Sequence, residues 1–143
     1  MALVDSTGFA HVRITVTDIQ RSKRFYSEVF GWPVVVDTSS MADDAGVAES
    51  PERFFGGTIF QTPQGTLFGL RPGGNGVFDP THLGLDHVSF TVASRADLAS
   101  AQTALTEAGI EHGAITVLED AGIAIMSFQD PDGINVELTA PLD

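Results

Sequence analysis

The sequence predicts an α+β chain made of two tandem β-α-β-β-β modules, and three observations carry that reading. HVRITV at residues 11–16 is matched by HVSFTV at residues 87–92, with four of the six positions identical. Each copy runs into a helical stretch that closes on a glycine, Gly31 or Gly109. Each half later carries a Pro-x-Gly turn, Pro63 to Gly65 or Pro131 to Gly133. The landmarks recur in the same order at similar spacing, which argues for duplication.

The elements follow from periodicity. In residues 11–16, Val12, Ile14 and Val16 alternate with His11, Arg13 and Thr15, the pattern of a half-buried strand. Val88, Phe90 and Val92 alternate with His87, Ser89 and Thr91 in the same way. Asp18 is placed to cap a helix containing Ile19, Phe25, Tyr26, Val29 and Phe30, and Gly31 stops it. Ser94 and Gly109 bracket the second helix. Further strands are expected at residues 32–37, 54–61 and 67–70 in the first half and at 114–118, 123–129 and 134–139 in the second. An acidic stretch, Ser39 to Glu52, reads as a mobile surface insertion rather than a lid. The Gly/Pro-rich run RPGGNGVFDPTHLG reads as the joint. The division expected is residues 1–72 for the first module, 73–84 for the connector and 85–143 for the second module.

Composition narrows the function classes. A chain of 143 residues suits one structural domain, burying roughly two thirds of its unfolded surface. Seven Lys and Arg against nineteen Asp and Glu give a net charge of −12, a field that repels phosphate backbones and anionic lipid headgroups. Nucleic acid and membrane are therefore excluded as partners, and a small molecule is expected. MALVDSTGFAHVR has no basic n-region or apolar run of signal-peptide length, so an unexported, cytoplasmic protein is expected. With no cysteine, any metal must be held by nitrogen and oxygen, and thiol nucleophiles are excluded.

Four His and the carboxylates remain as metal ligands. On the last strand Asn135, Glu137 and Thr139 alternate with Val136 and Leu138, so Glu137 shares a polar face just as each strand His does. Polar alternation alone describes any sheet with one face in water. His11, His87 and Glu137 meet only if the sheet curls.

The runs FAHVRITVTDIQRSKRFYSEVFGW, LDHVSFTVAS and QDPDGINVEL resemble the vicinal oxygen chelate superfamily, which includes glyoxalases, extradiol dioxygenases, fosfomycin-resistance thiol transferases and bleomycin-binding proteins. The resemblance implies paired modules whose sheets form an open curved cup, with metal ligands on the first and last strand of each module. His11, His87 and Glu137 fall on three of those four positions. Aligning TPQGTLFGL with DPDGINVEL by the turn puts Gly69 on the fourth, where glyoxalases and epimerases of the family usually carry a carboxylate or amide that serves proton transfer. Two His and one carboxylate match instead the facial set that leaves adjacent coordination positions open, which the resemblance implies for both the dioxygenase and the thiol-transferase branches.

The expectation is thus a divalent-metal enzyme, an oxygenase or a lyase/transferase, acting on a small substrate chelated through vicinal oxygens. Glu137 is both ligand and catalytic group, and the metal is one of Fe, Mn, Zn, Co or Ni. Fosfomycin is a poor substrate guess, because LTAPLD supplies no basic residue after Glu137 for a phosphonate. The alternative is a non-catalytic, antibiotic-sequestering protein of the bleomycin-resistance kind. Module pairing also implies a homodimer.

Other residues have balanced readings. Arg13 and Arg71 share strand faces with His11 and Gly69 and suit an anionic substrate group, or equally a solvated surface. Phe25, Tyr26 and Trp32 are expected to pack the helix on the sheet. His82 and His112 read as surface residues.

Overall fold

The computed structural model describes residues 2–49 and 55–142. The chain divides into two compact units, Met1–Gly76 and Val77–Asp143.

In the first unit β1 (His11–Thr15) leads through α1 (Ile19–Phe30) to β2 (Val34–Asp37), β3 (Thr58–Gln61) and β4 (Leu67–Arg71). The sheet order is β1-β4-β3-β2. β1 runs parallel to β4 and the other pairs are antiparallel. That order follows from the connections: α1 carries the chain across to β2 at the far edge, two antiparallel steps bring β4 back to lie parallel beside β1, and the tight turn at Gly65 makes β3 and β4 a hairpin. Asp18 caps α1 by accepting from the Arg21 N–H at 3.0 Å, and Gly31 ends it with φ of 62°, a left-handed conformation that glycine adopts without a Cβ penalty. Ile14, Val16, Tyr26, Phe60, Phe68 and Leu70 are buried between α1 and the sheet. Tyr26 packs on Phe68 with ring centroids 4.9 Å apart, and Phe30 stacks on Trp32 at 4.2 Å. Tyr26, Phe60 and Phe68 are core, and Phe25, Phe30 and Trp32 are half-buried.

The second unit repeats the scheme with β5 (Val88–Thr91), α3 (Arg95–Glu107), β6 (Thr116–Leu118), β7 (Ile123–Gln129) and β8 (Asn135–Pro141), in the order β5-β8-β7-β6. Ser94 caps α3, accepting from the Asp97 N–H at 3.1 Å. Leu98 and Leu105 bury against β7 and β8, whose inner face is Ala124, Met126, Phe128, Val136, Leu138 and Ala140. Two four-stranded mixed sheets, each backed by one long helix, make this an α+β fold of two β-α-β-β-β units.

Strand ends differ from the sequence reading. Strand β2 starts at Val34, after Pro33, whose ring denies the ladder a donor. Strand β5 starts at Val88, leaving His87 just outside it. The strand expected from residue 54 is seen from Thr58, and Phe54 lies outside the described residues.

The acidic stretch keeps to the surface but is more structured than its composition suggests. Residues 39–49 form a 3-10 turn, Ser39–Met41, and a short helix, α2 (Ala45–Glu49), with Ser39 and Val47 buried. Ser39 is fixed by Asp37, which accepts from its N–H at 3.1 Å and its hydroxyl at 2.6 Å. Val47 sits against Gly56, where a Cβ would come within 2.6 Å of Val47 Cγ1. Two buried anchors, invisible to composition, tie a surface segment to the core while most of its other described residues stay exposed. Its remaining residues, 50–52, lie outside the described residues.

Among the described residues no helix is long and apolar enough to cross a membrane.

Candidate functional site

Strand register shows how the two units correspond. In the parallel pair of β5 and β8, Ser89 lies opposite Glu137, and in that of β1 and β4, Arg13 lies opposite Gly69. Since Arg13 and Ser89 hold the same place in the HVRITV and HVSFTV repeats, Gly69 and Glu137 are equivalent positions, as the turn alignment implied.

The polar face of the second sheet carries a connected set of side chains. Glu137 projects from the centre of β8 with its side chain 15% exposed, and its Oε1 lies 3.9 Å from Nε2 of His87. The opposite ring nitrogen, Nδ1, is 2.5 Å from Oδ1 of Asp86. The hydrogen bond to Asp86 first, and then the charges of Glu137 and Asp86, raise the pKa of the imidazole against the opposing effect of burial, because two anions favour the protonated ring. Thr139 donates its hydroxyl to Glu137 Oε1 at 3.2 Å and stands 2.5 Å from Ser89 Oγ. Asn135 donates to the backbone carbonyl of Asp86 at 3.3 Å and accepts from Gln129 at 3.3 Å. One face thus holds an imidazole and a carboxylate side by side, each tied to neighbours.

The donor chemistry of this pair fits a divalent ion. Two donors on one ion at about 2.1 Å each, near a right angle, stand roughly 3 Å apart, a spacing that a modest turn of either side chain reaches from 3.9 Å. Among the described residues no group of three or more His, Asp and Glu is gathered as a metal site.

The first unit places its expected residues differently. His11 opens β1 and is exposed, on the face it shares with Arg13 and Thr15. Arg13 lies along Gly69, its guanidinium carbon 5.3 Å from the ring centroid of Phe55. A Cβ at residue 69 would meet Arg13 Cγ at 3.2 Å. The space that a side chain at residue 69 would need is thus filled by the arginine stem. Arg71 ends β4 opposite Thr15 and is half-buried. It lines a cleft of about 710 Å³ shared with Thr17, Asp18, Gln20, Ser39 and Asp43. Among the described residues the lining includes neither His11 nor Arg13, so the two arginines expected to act alike stand in different surroundings.

His82 is exposed, with Nε2 3.6 Å from Asp79. His112 binds Thr106 and the Gly113 carbonyl, both at 2.8 Å. Both serve local structure. The residues that sequence reasoning missed are Asp86, Thr139 as a donor to Glu137, and Asn135 as a brace. The one signal for Asp86 is its adjacency to His87, in a pattern where the equivalent of Asp86 in the first repeat is Ala10.

The model of the Glyoxalase/Bleomycin resistance protein/Dioxygenase superfamily matches residues 8–138. The chain belongs to that superfamily. Among curated proteins none matches the sequence. Of solved structures, a glyoxylase/bleomycin resistance protein/dioxygenase domain from Frankia sp. EAN1pec is 29% identical with a TM-score of 0.75, covering 96% of this chain and 93% of that one. A glyoxalase/dioxygenase from Nostoc punctiforme is 23% identical with a TM-score of 0.73, over 100% and 97% of the two chains. A mutant of the fosfomycin resistance protein FosX from Listeria monocytogenes, complexed with Mn(II) and a dihydroxypropylphosphonic acid, is 16% identical with a TM-score of 0.71, over 96% and 94%. At such identities the last two likenesses establish the fold. The ion and the small phosphonic acid belong to that FosX mutant, and the fold by itself leaves the reaction of this chain open.

Proposed function

We propose that the protein is a divalent-metal enzyme that acts on a small substrate chelated through two adjacent oxygens, with His11, His87 and Glu137 as its three ligands. The observation that carries this reading is the pairing of His87 with Glu137 on one polar face, 3.9 Å apart and each braced by neighbours. His11 joins them on the strength of its equivalence to His87 in the repeat. The three-ligand set, with Gly69 where a fourth ligand would stand, favours dioxygenase-like over glyoxalase-like chemistry.

A bound ion would supply Lewis acidity toward the substrate oxygens, or a redox centre if it is iron. The chain's own residues do the rest. Glu137, held by Thr139, presents a fixed carboxylate beside the substrate position. Arg13, supported on Phe55 and lying over Gly69, offers a planar fork to a carboxylate or phosphate on the substrate. Arg71 offers a second such group from its cleft. The functional particle in this reading is a homodimer.

The experiment is metal content by plasma mass spectrometry on protein purified without chelator, beside His11→Ala and Glu137→Ala variants prepared identically. About one ion per site, lost in both variants, supports the ligand set and leads to anaerobic iron reconstitution with catechol-like substrates. Protein that takes up no metal after loading and desalting, yet binds a bulky organic ligand equally well with or without Glu137, is a sequestering protein instead.

A further inference from the structure

We propose that Asp86 is a positioning residue that fixes the tautomer and ring orientation of His87, presenting Nε2 with its lone pair toward Glu137. The metal consequence of this rests on the ligand reading above, whereas the tautomer itself does not.

An ionised carboxylate only accepts hydrogen bonds, so the 2.5 Å contact between Asp86 Oδ1 and His87 Nδ1 requires the proton to sit on Nδ1. In the neutral ring Nε2 is then the unprotonated nitrogen. That is the nitrogen 3.9 Å from Glu137 Oε1. With the opposite tautomer, Nδ1 would turn a lone pair on the carboxylate.

The surroundings hold Asp86 where this works. Its backbone carbonyl accepts from Asn135 of β8, and the Asn135 carbonyl oxygen accepts from Gln129 of β7. The first bond decides which end of the Asn135 amide faces Asp86, since a backbone carbonyl only accepts, and the Asn135 side-chain oxygen is then left to accept from Gln129. His87 stands one residue before β5, and this brace from β8 ties down the backbone of the residue that precedes it. On the other side Thr139 points its proton at Glu137, which orients the carboxylate that Nε2 faces. A carboxylate that accepts the remote N–H of an imidazole is the arrangement that sets both ring orientation and donor basicity in metal-binding histidines. His11, the repeat counterpart of His87, is preceded by Ala10 and has no such neighbour in sequence, so the two histidines are unequal as donors.

The test reads the tautomer directly from side-chain ¹⁵N NMR of the imidazoles at a pH where His87 is neutral, with the His87→Asn variant for assignment and His112 as internal reference. Wild-type protein is expected to show protonated Nδ1 at His87, Asp86→Ala to move the proton toward Nε2, and Asp86→Asn, whose amide oxygen still accepts, to keep part of the original state. Zn(II) titrated calorimetrically into the same proteins is expected to bind Asp86→Ala about 10- to 100-fold more weakly. The Asp86 side chain is 75% exposed, so folding of the variants is expected to be intact, as circular dichroism will check. A wild-type His87 protonated on Nε2, or an unchanged tautomer in Asp86→Ala, overturns the proposal. A tautomer that switches while neither Asp86→Ala nor Glu137→Ala changes Zn(II) affinity upholds the positioning role and sinks the metal reading instead.

Discussion

Arg13 and Gly69 face each other across the parallel β1–β4 pair at the place where Ser89 and Glu137 face each other in the second unit. The space left by the missing side chain is taken by the arginine stem, whose head reaches Phe55. The units therefore share a backbone plan and differ in chemistry: a carboxylate on one polar face, a guanidinium on the other.

The two residues should be energetically coupled. Gly69→Ala pushes a methyl to 3.2 Å from Arg13 Cγ and lifts the guanidinium off Phe55. In a double-mutant cycle by urea denaturation, Gly69→Ala is expected to cost about 0.5–1 kcal/mol more in wild-type protein than in the Arg13→Ala background. Equal effects in both backgrounds would show that the arginine does not use the glycine's space.

Asp37 should make the first unit acid-sensitive. It accepts from Lys23, from Ser39 through N–H and hydroxyl, and from Thr58, and these contacts, Lys23 first and Ser39 second, hold its carboxyl well below the ordinary 3.8. A depressed folded-state pKa means that the unfolded chain takes the proton first, so the stabilisation is complete above about pH 4 and drains as pH falls further. Asp37→Ala strands the hydroxyls of Ser39 and Thr58, both buried, at a cost of about 1–3 kcal/mol at neutral pH. Denaturation midpoints between pH 2 and pH 7 should fall less steeply toward acid in the variant than in the wild type.

Ser22 offers a stabilising change. Its hydroxyl is fully buried on α1 and lacks a hydrogen-bond partner among the described residues. Ser22→Ala removes an unsatisfied polar group and raises helix propensity, so stability should increase by about 1 kcal/mol, read as a higher urea midpoint at unchanged slope. A loss of stability would mean that the hydroxyl is satisfied in solution.

Gly56 and Val47 give the converse. Gly56 has φ of 57° and would place a Cβ 2.6 Å from Val47 Cγ1, so Gly56→Ala adds backbone strain to a clash and should cost about 2 kcal/mol or more. Adding Val47→Ala should relieve the clash and leave the strain, a partial rescue visible in thermal unfolding. Failure of any rescue would place the whole penalty in the backbone.

Much of this protein was legible in its sequence because the signals are local or repeated. Alternation across HVRITV and HVSFTV assigns strand faces by period two, Asp18, Gly31 and Ser94 act within one helical turn, and duplication allowed each half to check the other. The same logic marked His11, His87 and Glu137, and predicted that Gly69 and Glu137 correspond. Tertiary structure decided what depends on residues distant in sequence or on side-chain direction. Ser39 and Val47 anchor an acidic stretch because Asp37 and Gly56 happen to lie beneath them, which no composition reports. Arg13 and Arg71 share a strand-face pattern yet part company, one over Gly69 and one in a cleft, because the alternation that fixes a Cβ direction says nothing about where a long side chain ends. Asp86 looked like one acid among nineteen Asp and Glu, and it acquired a role only when Asn135, forty-nine residues away, was found to hold its backbone beside His87.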